Sequence, residues 1–222
     1  MPRIARVVVP DYPHHITQRG NNRSDVFLEE PDRQYFLESL QQALQETKSQ
    51  LWAYCLMTNH FHLLIVPREP GALGRCLHQV TFKYAQYFNS QYSRAGRLWQ
   101  NRYFSCPVEQ ETYLWSVARY IEKNPIRAKI VSQAENYPYS SARAHLLGAA
   151  DDILSSPDWL TPKERLAYVR FFSGAGDEEL IRKTVCTGRP LGQISFYKKL
   201  KRLLKRDLMS QRPGRPRKRR KY

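Results

Sequence analysis

Apolar positions along the chain follow two periods, and their order predicts the fold. Residues 14–19, His-His-Ile-Thr-Gln-Arg, alternate as a strand does, and Gly20-Asn21-Asn22 closes the run with turn residues. From residue 31 to about 48 the period changes to that of a helix. Tyr35, Phe36, Leu40 and Leu44 share one face, and Asp32 stands in the first turn, where its charge suits the helix dipole. Residues 52–57 read as a second strand. Thr58-Asn59 is a turn or bulge, and a third strand runs from His60 to Pro67, so the two form a tight antiparallel pair. Residues 71–90 form a second helix with the stripe Leu73, Leu77, Val80, Tyr84 and Phe88. Residues 104–108 suit a fourth strand. Residues 111–124 suit a third helix that Pro125 is expected to end, because the residue before a proline is pushed out of the helical region.

The order strand, helix, strand, strand, helix, strand predicts an α+β fold with a ferredoxin-like antiparallel sheet and helices on one face. The third helix then lies across or beside that sheet. Beyond Ala128 the pattern loosens. Residues 136–141 are rich in turn formers, and 158–172 and 177–185 read as short helices. Residues 187–192 break the chain, and 194–208 form a basic amphipathic helix. The expected organisation is a core over residues 1–131, a mainly helical extension over 132–210 and a basic disordered tail over 211–222.

Charge adds the class of partner. The chain has 222 residues and a net charge of +16, with 36 Lys and Arg against 20 Asp and Glu. Seven of these cations lie in the tail after residue 210, so most of the excess belongs to the rest of the chain. A basic chain with 14 tyrosines and four tryptophans suits a polyanion, most simply nucleic acid. Cys55, Cys76, Cys106 and Cys186 are scattered with no Cys-x-x-Cys spacing, which excludes a zinc ribbon or a dithiol redox motif and fits reduced, buried thiols. The N-terminus lacks the apolar stretch of a signal peptide, and no run approaches the roughly 18 apolar residues of a membrane span. The expectation is a soluble, cytoplasmic protein with no membrane partner.

Two constellations carry chemistry. His60 and His62 flank Phe61 on a predicted strand, so both imidazoles project from one face and Phe61 from the other. Such a pair is two-thirds of a metal site, or else two histidines at the exposed end of a buried strand. His14 and His15 are adjacent and face opposite ways, so one packs and the other lies nearer any site on that sheet. Tyr120 and Asn124 are four apart on the third helix and share a face. A tyrosine hydroxyl serves as a nucleophile once its charge is stabilised, and an amide oxygen can complete a site with two imidazoles for Mg²⁺ or Mn²⁺. Tyr at a helix end is also ordinary packing, Asn before Pro an ordinary terminator, and Tyr113 competes with Tyr120 on geometry alone.

Three segments together resemble a known family: Asn59-His60-Phe61-His62-Leu63-Leu64, Leu98-Trp99-Gln100-Asn101-Arg102-Tyr103, and Arg119-Tyr120-Ile121-Glu122-Lys123-Asn124-Pro125-Ile126-Arg127-Ala128. The set is similar to the REP-associated tyrosine transposases, within the single-tyrosine HUH transposase superfamily. The resemblance covers residues 14–131. Thr187-Gly188-Arg189-Pro190-Leu191-Gly192 and the Arg-Pro-Gly-Arg-Pro-Arg-Lys tail resemble the C-terminal region of a longer subgroup. The resemblance implies an HUH nuclease core with His60, His62 and Asn124 as metal ligands and Tyr120, rather than Tyr113, as nucleophile. The third-ligand position is glutamine in some relatives. It implies metal-dependent cleavage and rejoining of single-stranded DNA at repetitive extragenic palindromes folded as hairpins. The intermediate it implies is a 5′-phosphotyrosine with a free 3′-OH.

Lys83, Arg97, Arg102, Lys123 and Arg127 are candidate phosphate contacts, and Trp99 and Tyr103 candidates to stack on unpaired bases or to pack in the core. Two rival functions share the basic surface. One is a repeat-hairpin-binding protein without cleavage. The other is a metal-dependent phosphodiesterase that uses water and has no need of Tyr120.

Overall fold

A computed structural model describes residues 6–155, 159–174, 176, 178–206 and 208. Four strands, β1 (His14–Arg19), β2 (Gln50–Leu56), β3 (His60–Val66) and β4 (Phe104–Pro107), form one antiparallel sheet in the order β2-β3-β1-β4. This is the ferredoxin-like order. Helices α1 (Glu30–Glu46) and α2 (Ala72–Gln91) are the two crossovers. Both lie on one face, where Phe36, Leu40, Leu77, Val80 and Tyr84 pack on Ile16, Phe61, Leu63 and Ile65.

The opposite face has its own cover. Helix α3 (Gln110–Glu122) packs on β2 and β3, joining Val117, Ala118 and Ile121 to Cys55, Leu64 and Val66. The sequence pattern left α3 across or beside the sheet. The structure sets it over the face that α1 and α2 leave bare. Strand alternation supplies this division: Phe61, Leu63 and Ile65 point to one layer, Leu64 and Val66 to the other. A register shift between Leu51 and Ala53 lets Leu51 and Tyr54 share the first face despite their odd spacing.

Pro125 does not stop the chain from turning. A short helix, α4 (Asn124–Arg127), begins directly after the kink, because proline in a first helical turn forfeits no intrahelical donor. Then come α5 (Ala142–Leu147), α6 (Pro162–Phe172), α7 (Glu178–Thr187) and α8 (Ile194–Leu204). The pattern missed α5, only six residues long. It started α6 about four residues early, whereas the Thr161–Glu164 capping box fixes the true start. Helix α8 closes a small cluster in which Phe196 and Leu200 cover Val7 and Val9. The basic tail expected over 211–222 lies outside the described residues. Cys55, Cys76 and Cys106 are buried free thiols as expected, but Cys186 is exposed on α7. Among the described residues no helix is long and apolar enough to cross a membrane.

A buried carboxylate joins the core to the later helices. Glu122, at the end of α3, has no solvent exposure. It accepts from Ser141 Oγ at 2.6 Å, His145 Nδ1 at 2.5 Å and Tyr168 Oη at 2.8 Å, so α5 and α6 are both tied to α3. A buried charge is tolerated only when its acceptor oxygens are satisfied in this way. Glu122→Ala removes the acceptor of His145 Nδ1 and Tyr168 Oη and leaves Ser141 Oγ only the Tyr54 carbonyl at 3.3 Å. It is expected to destabilise the fold by about 3 kcal/mol or more in urea unfolding, whereas Glu122→Gln costs less because it retains one acceptor oxygen.

Candidate active site

The second sheet face carries an open-sided cleft of about 630 Å³. His60 and His62 from β3, Thr17 and Arg19 from β1, and Tyr120 from α3 line it, together with Gln100 to Arg102 and residues of α7. The two histidines arrive together for the reason read from the sequence. Their strand is regular, so i and i+2 share a face, and their rings sit 5.1 Å apart. Tyr120 comes from the last turn of α3, its ring meeting that of His62 edge-on at 5.7 Å.

Both imidazoles are neutral and oriented. Burial first, then the Arg19 and Arg127 charges, push His60 down to about 4. Burial, then its His60 and His15 neighbours and Arg127, hold His62 well below the ordinary histidine range. His60 Nδ1 lies 2.6 Å from the Asn59 side-chain oxygen. That oxygen can only accept, so Nδ1 carries the proton and Nε2 keeps its lone pair. His62 Nδ1 lies 3.0 Å from His15 Nε2. When His62 donates there, its Nε2 is bare as well. His15 is fully buried, and its Nδ1 has no partner among the described residues. His14 faces the other way and serves the backbone, its Nδ1 donating to the Tyr12 carbonyl at 2.8 Å and its Nε2 accepting from Val9 N at 3.1 Å.

This donor set fits a divalent cation: two neutral imidazoles, each held through Nδ1 and free at Nε2. No third His, Cys, Asp or Glu completes a metal group among the described residues. Asn124 is the remaining candidate. It is buried one turn after Tyr120, and its Nδ2 donates to the Tyr120 and Ile121 carbonyls at 3.0 Å each, which leaves Oδ1 as the atom able to ligate. It is not among the residues lining the cleft.

Tyr120 is mostly buried, and desolvation raises its hydroxyl above the ordinary tyrosine range. The Arg127 guanidinium works against this, lying 4.2 Å over the Tyr120 ring. Arg127 also donates to the Tyr120 carbonyl at 2.7 Å and reaches Glu178 of α7 at 3.6 Å. Tyr113, the competing tyrosine, does not line the cleft.

The expected phosphate contacts separate. Arg102 lines the cleft. Arg97 lies in an adjoining basin that also holds Arg6, Arg102, Trp99 and Tyr103. Arg127 supports Tyr120. Lys123 donates to the Gly174 carbonyl at 3.2 Å, at the end of α6. Lys83 lies on α2, in the other helical layer, where it donates to Gln42 at 2.9 Å. Trp99 donates to the Thr81 carbonyl and packs on Phe61, while Tyr103 lies beneath the Arg6 guanidinium at 3.6 Å. The pattern did not single out Asn59, Arg19 or the α7 cations Arg182 and Lys183. Asn59 abuts His60 in sequence, but its contact with the ring depends on a rotamer.

The profile of the family described as transposase IS200-like matches residues 8–124, just over half the chain.

The chain belongs to the IS200-like transposase family.

Among solved structures, one described as a REP-associated tyrosine transposase bound to a REP hairpin aligns with a TM-score of 0.53 at 16% identity, covering 72% of this chain and 94% of that one. At that identity the likeness is one of fold. A transposase from Deinococcus radiodurans R1 aligns with a TM-score of 0.38 at 17% identity, covering 58% of this chain and 92% of that one. No curated protein matches this chain in sequence.

The buried imidazoles set a pH dependence. Without metal, His14 and His60 titrate at about 4 and His15 at about 3 in the folded state, against an ordinary 6.5. Between pH 6.5 and 4 the unfolded chain binds more protons than the folded one, so this stability is complete above pH 6.5 and lost as pH falls through the window. Urea midpoints measured in chelator should be level from pH 7 to 8 and drop steadily from pH 6.5 to 4.5. A level midpoint across the lower range would contradict the burial of these rings.

Proposed function

We propose that this transposase cleaves and rejoins single-stranded DNA at repeat hairpins, through a covalent 5′-phosphotyrosine on Tyr120. The observation that carries the reading is the convergence of Tyr120 with the neutral His60–His62 pair in one cationic cleft. Membership in a transposase family supports it, as does the likeness in fold to a protein bound to a REP hairpin.

In this reading His60 and His62, through Nε2, and Asn124, through Oδ1, hold Mg²⁺ or Mn²⁺. When bound, the ion supplies Lewis-acid polarisation of a phosphodiester oxygen. The chain's own groups do the rest. The Tyr120 oxygen attacks phosphorus in line, a P–O bond to tyrosine forms, and the P–O3′ bond breaks. The departing 3′-oxygen takes up a proton as a free hydroxyl, which later reverses the step by attacking the phosphotyrosine. Arg127 stabilises the phenolate that burial disfavours. Asn59 and His15 fix the two imidazoles in the tautomer that ligation needs. Arg19 and Arg102 neutralise phosphate at the cleft. The expected organisation, with a catalytic core over residues 1–131 and an extension over 132–210, is part of the same proposal.

The test is an adduct assay with hairpin-bearing single-stranded oligonucleotides labelled at the 3′ end, in Mg²⁺ or Mn²⁺. The hairpins are taken from repeats flanking the gene. Label is expected to migrate with the protein on a denaturing gel, to vanish with chelator, and to fall by roughly 10³-fold or more in Tyr120→Phe. Cleavage that persists in Tyr120→Phe without an adduct would mean that water is the nucleophile. Hairpin binding with neither cleavage nor adduct would make this a binding protein.

Metal affinity reads the imidazole support separately from turnover. His15→Leu removes the partner of His62 Nδ1 and is expected to weaken Mn²⁺ binding about 10-fold or more, read by calorimetry or by the free-Mn²⁺ resonance. Unchanged affinity would assign His15 to packing alone.

A further inference from the structure

The family profile ends at residue 124, yet helix α7, far beyond it, forms part of the cleft. Its sequence is split by helical period. Ile181 and Val185 are buried against the core, while Glu179, Arg182 and Lys183 are exposed and line the cleft. Arg19 and Arg102, also exposed, line the same cleft. The cleft that holds Tyr120 and the histidine pair is thus lined by four Lys or Arg and one carboxylate.

This wall is firmly built. At one end Glu178 meets Arg127, the residue that lies over the Tyr120 ring. Beyond the other end, Leu191 bonds the end of β4 and the chain just after it: its nitrogen donates to the Pro107 carbonyl at 2.8 Å, and its carbonyl accepts from Glu109 N at 2.8 Å. Helix α7 is therefore tied both to α4, whose Arg127 covers the Tyr120 ring, and to the edge of the sheet. The one acid, Glu179, pairs with Arg182 at 3.0 Å on the surface, and an exposed ion pair is weak enough for a phosphate to displace it. The cleft is open-sided and about 630 Å³, which gives room for part of an extended strand to lie along it.

We propose that α7 is a phosphate-binding wall for unpaired DNA: Arg182 and Lys183, together with Arg19 and Arg102 of the same cleft, hold the backbone of a single strand as it passes Tyr120. The proposal rests on reading the cleft as the site of strand cleavage. It adds that the C-terminal extension, and not only the family core, grips the substrate. The contact is with phosphates, so it carries no base sequence.

The experiment uses the full chain and two fluorescent probes, an oligothymidine of about 12 nucleotides and a blunt hairpin without unpaired flanks. Arg182→Gln/Lys183→Gln is expected to weaken oligothymidine binding about 10-fold at low salt. It should also flatten the slope of log affinity against log salt by about 1.4, the value for two single-strand phosphate contacts. Blunt-hairpin binding should stay within about 2-fold of the parent protein. Glu179→Gln is expected to strengthen oligothymidine binding. Both sites are exposed, and a far-ultraviolet dichroism spectrum matching the parent confirms the fold. Equal losses on both probes, or no loss on oligothymidine, would overturn the proposal. The cleavage reading fails separately: if the parent protein forms no adduct but the double variant still loses oligothymidine selectively, the wall stands and the chemistry falls. If the parent forms adducts and the double variant binds oligothymidine as tightly as the parent, only the wall falls.

Discussion

A carboxylate with no exposure to solvent, Glu122, is the interaction on which the site's geometry depends. It lies two residues after Tyr120 and two before Asn124. Leaving water costs an ionised carboxylate far more than one hydrogen bond returns, so its position is tolerable only because Ser141, His145 and Tyr168 all donate to it. Those donors come from segments far along the chain. The end of α3 is therefore fixed from behind by α5 and α6. Arg119 reinforces the tie, donating to the Phe171 carbonyl at 2.9 Å with its guanidinium 4.0 Å over the Phe171 ring. The helices after residue 131 thus take part in holding the tyrosine and do more than cover the sheet.

The sheet sets the other half of the arrangement. Alternation sends Phe61 into the α1–α2 layer and His60 and His62 into the cleft, so one strand serves as core and as site at once. On the neighbouring strand the same parity brings His15 beside His62 and turns His14 away toward Val9 and Tyr12. A one-residue slip of β1 against β3 would exchange the two. Register is held by the contents of the layer beneath, where Ile16 packs among the apolar residues of α1 and α2.

The four strands and the three long helices were legible because each has a clean period over enough residues: α2, for example, repeats Leu73, Leu77, Val80 and Tyr84 down one side. The His60–His62 pair was legible for the same reason, since period 2 alone places both rings on one face. What the pattern could not supply was contact between distant segments. His15 and Asn59 touch the imidazoles through side-chain rotamers and strand pairing, which leave no periodic trace. Helix α5 was missed because six residues are too few to show a helical stripe. Arg127 was read as a phosphate contact from its charge. The kink at Asn124–Pro125 instead carries it back over Tyr120, because the chain resumes helical turning where the proline was expected to end it.

The distribution of charge says most about the chemistry. Burial keeps His60 and His62 neutral, so they present lone pairs rather than positive charge. It also raises Tyr120, so the phenol alone is a poorer nucleophile than a free tyrosine. Neither shift favours reaction unless positive charge arrives with the substrate or already stands near the ring. Arg127 provides part of it at 4.2 Å, and Arg19, Arg102, Arg182 and Lys183 surround the cleft with more. The single carboxylate lining the cleft, Glu179, sits on the exposed face of α7 and is paired with Arg182. A cleft lined by cations, neutral imidazoles and the shielded Tyr120 hydroxyl suits a polyanion, and the proposed attack by the protein's own tyrosine follows from that setting. In the proposed reaction, the same desolvation that makes Tyr120 reluctant in the empty cleft would strengthen every cation–phenolate contact once a strand displaced the water.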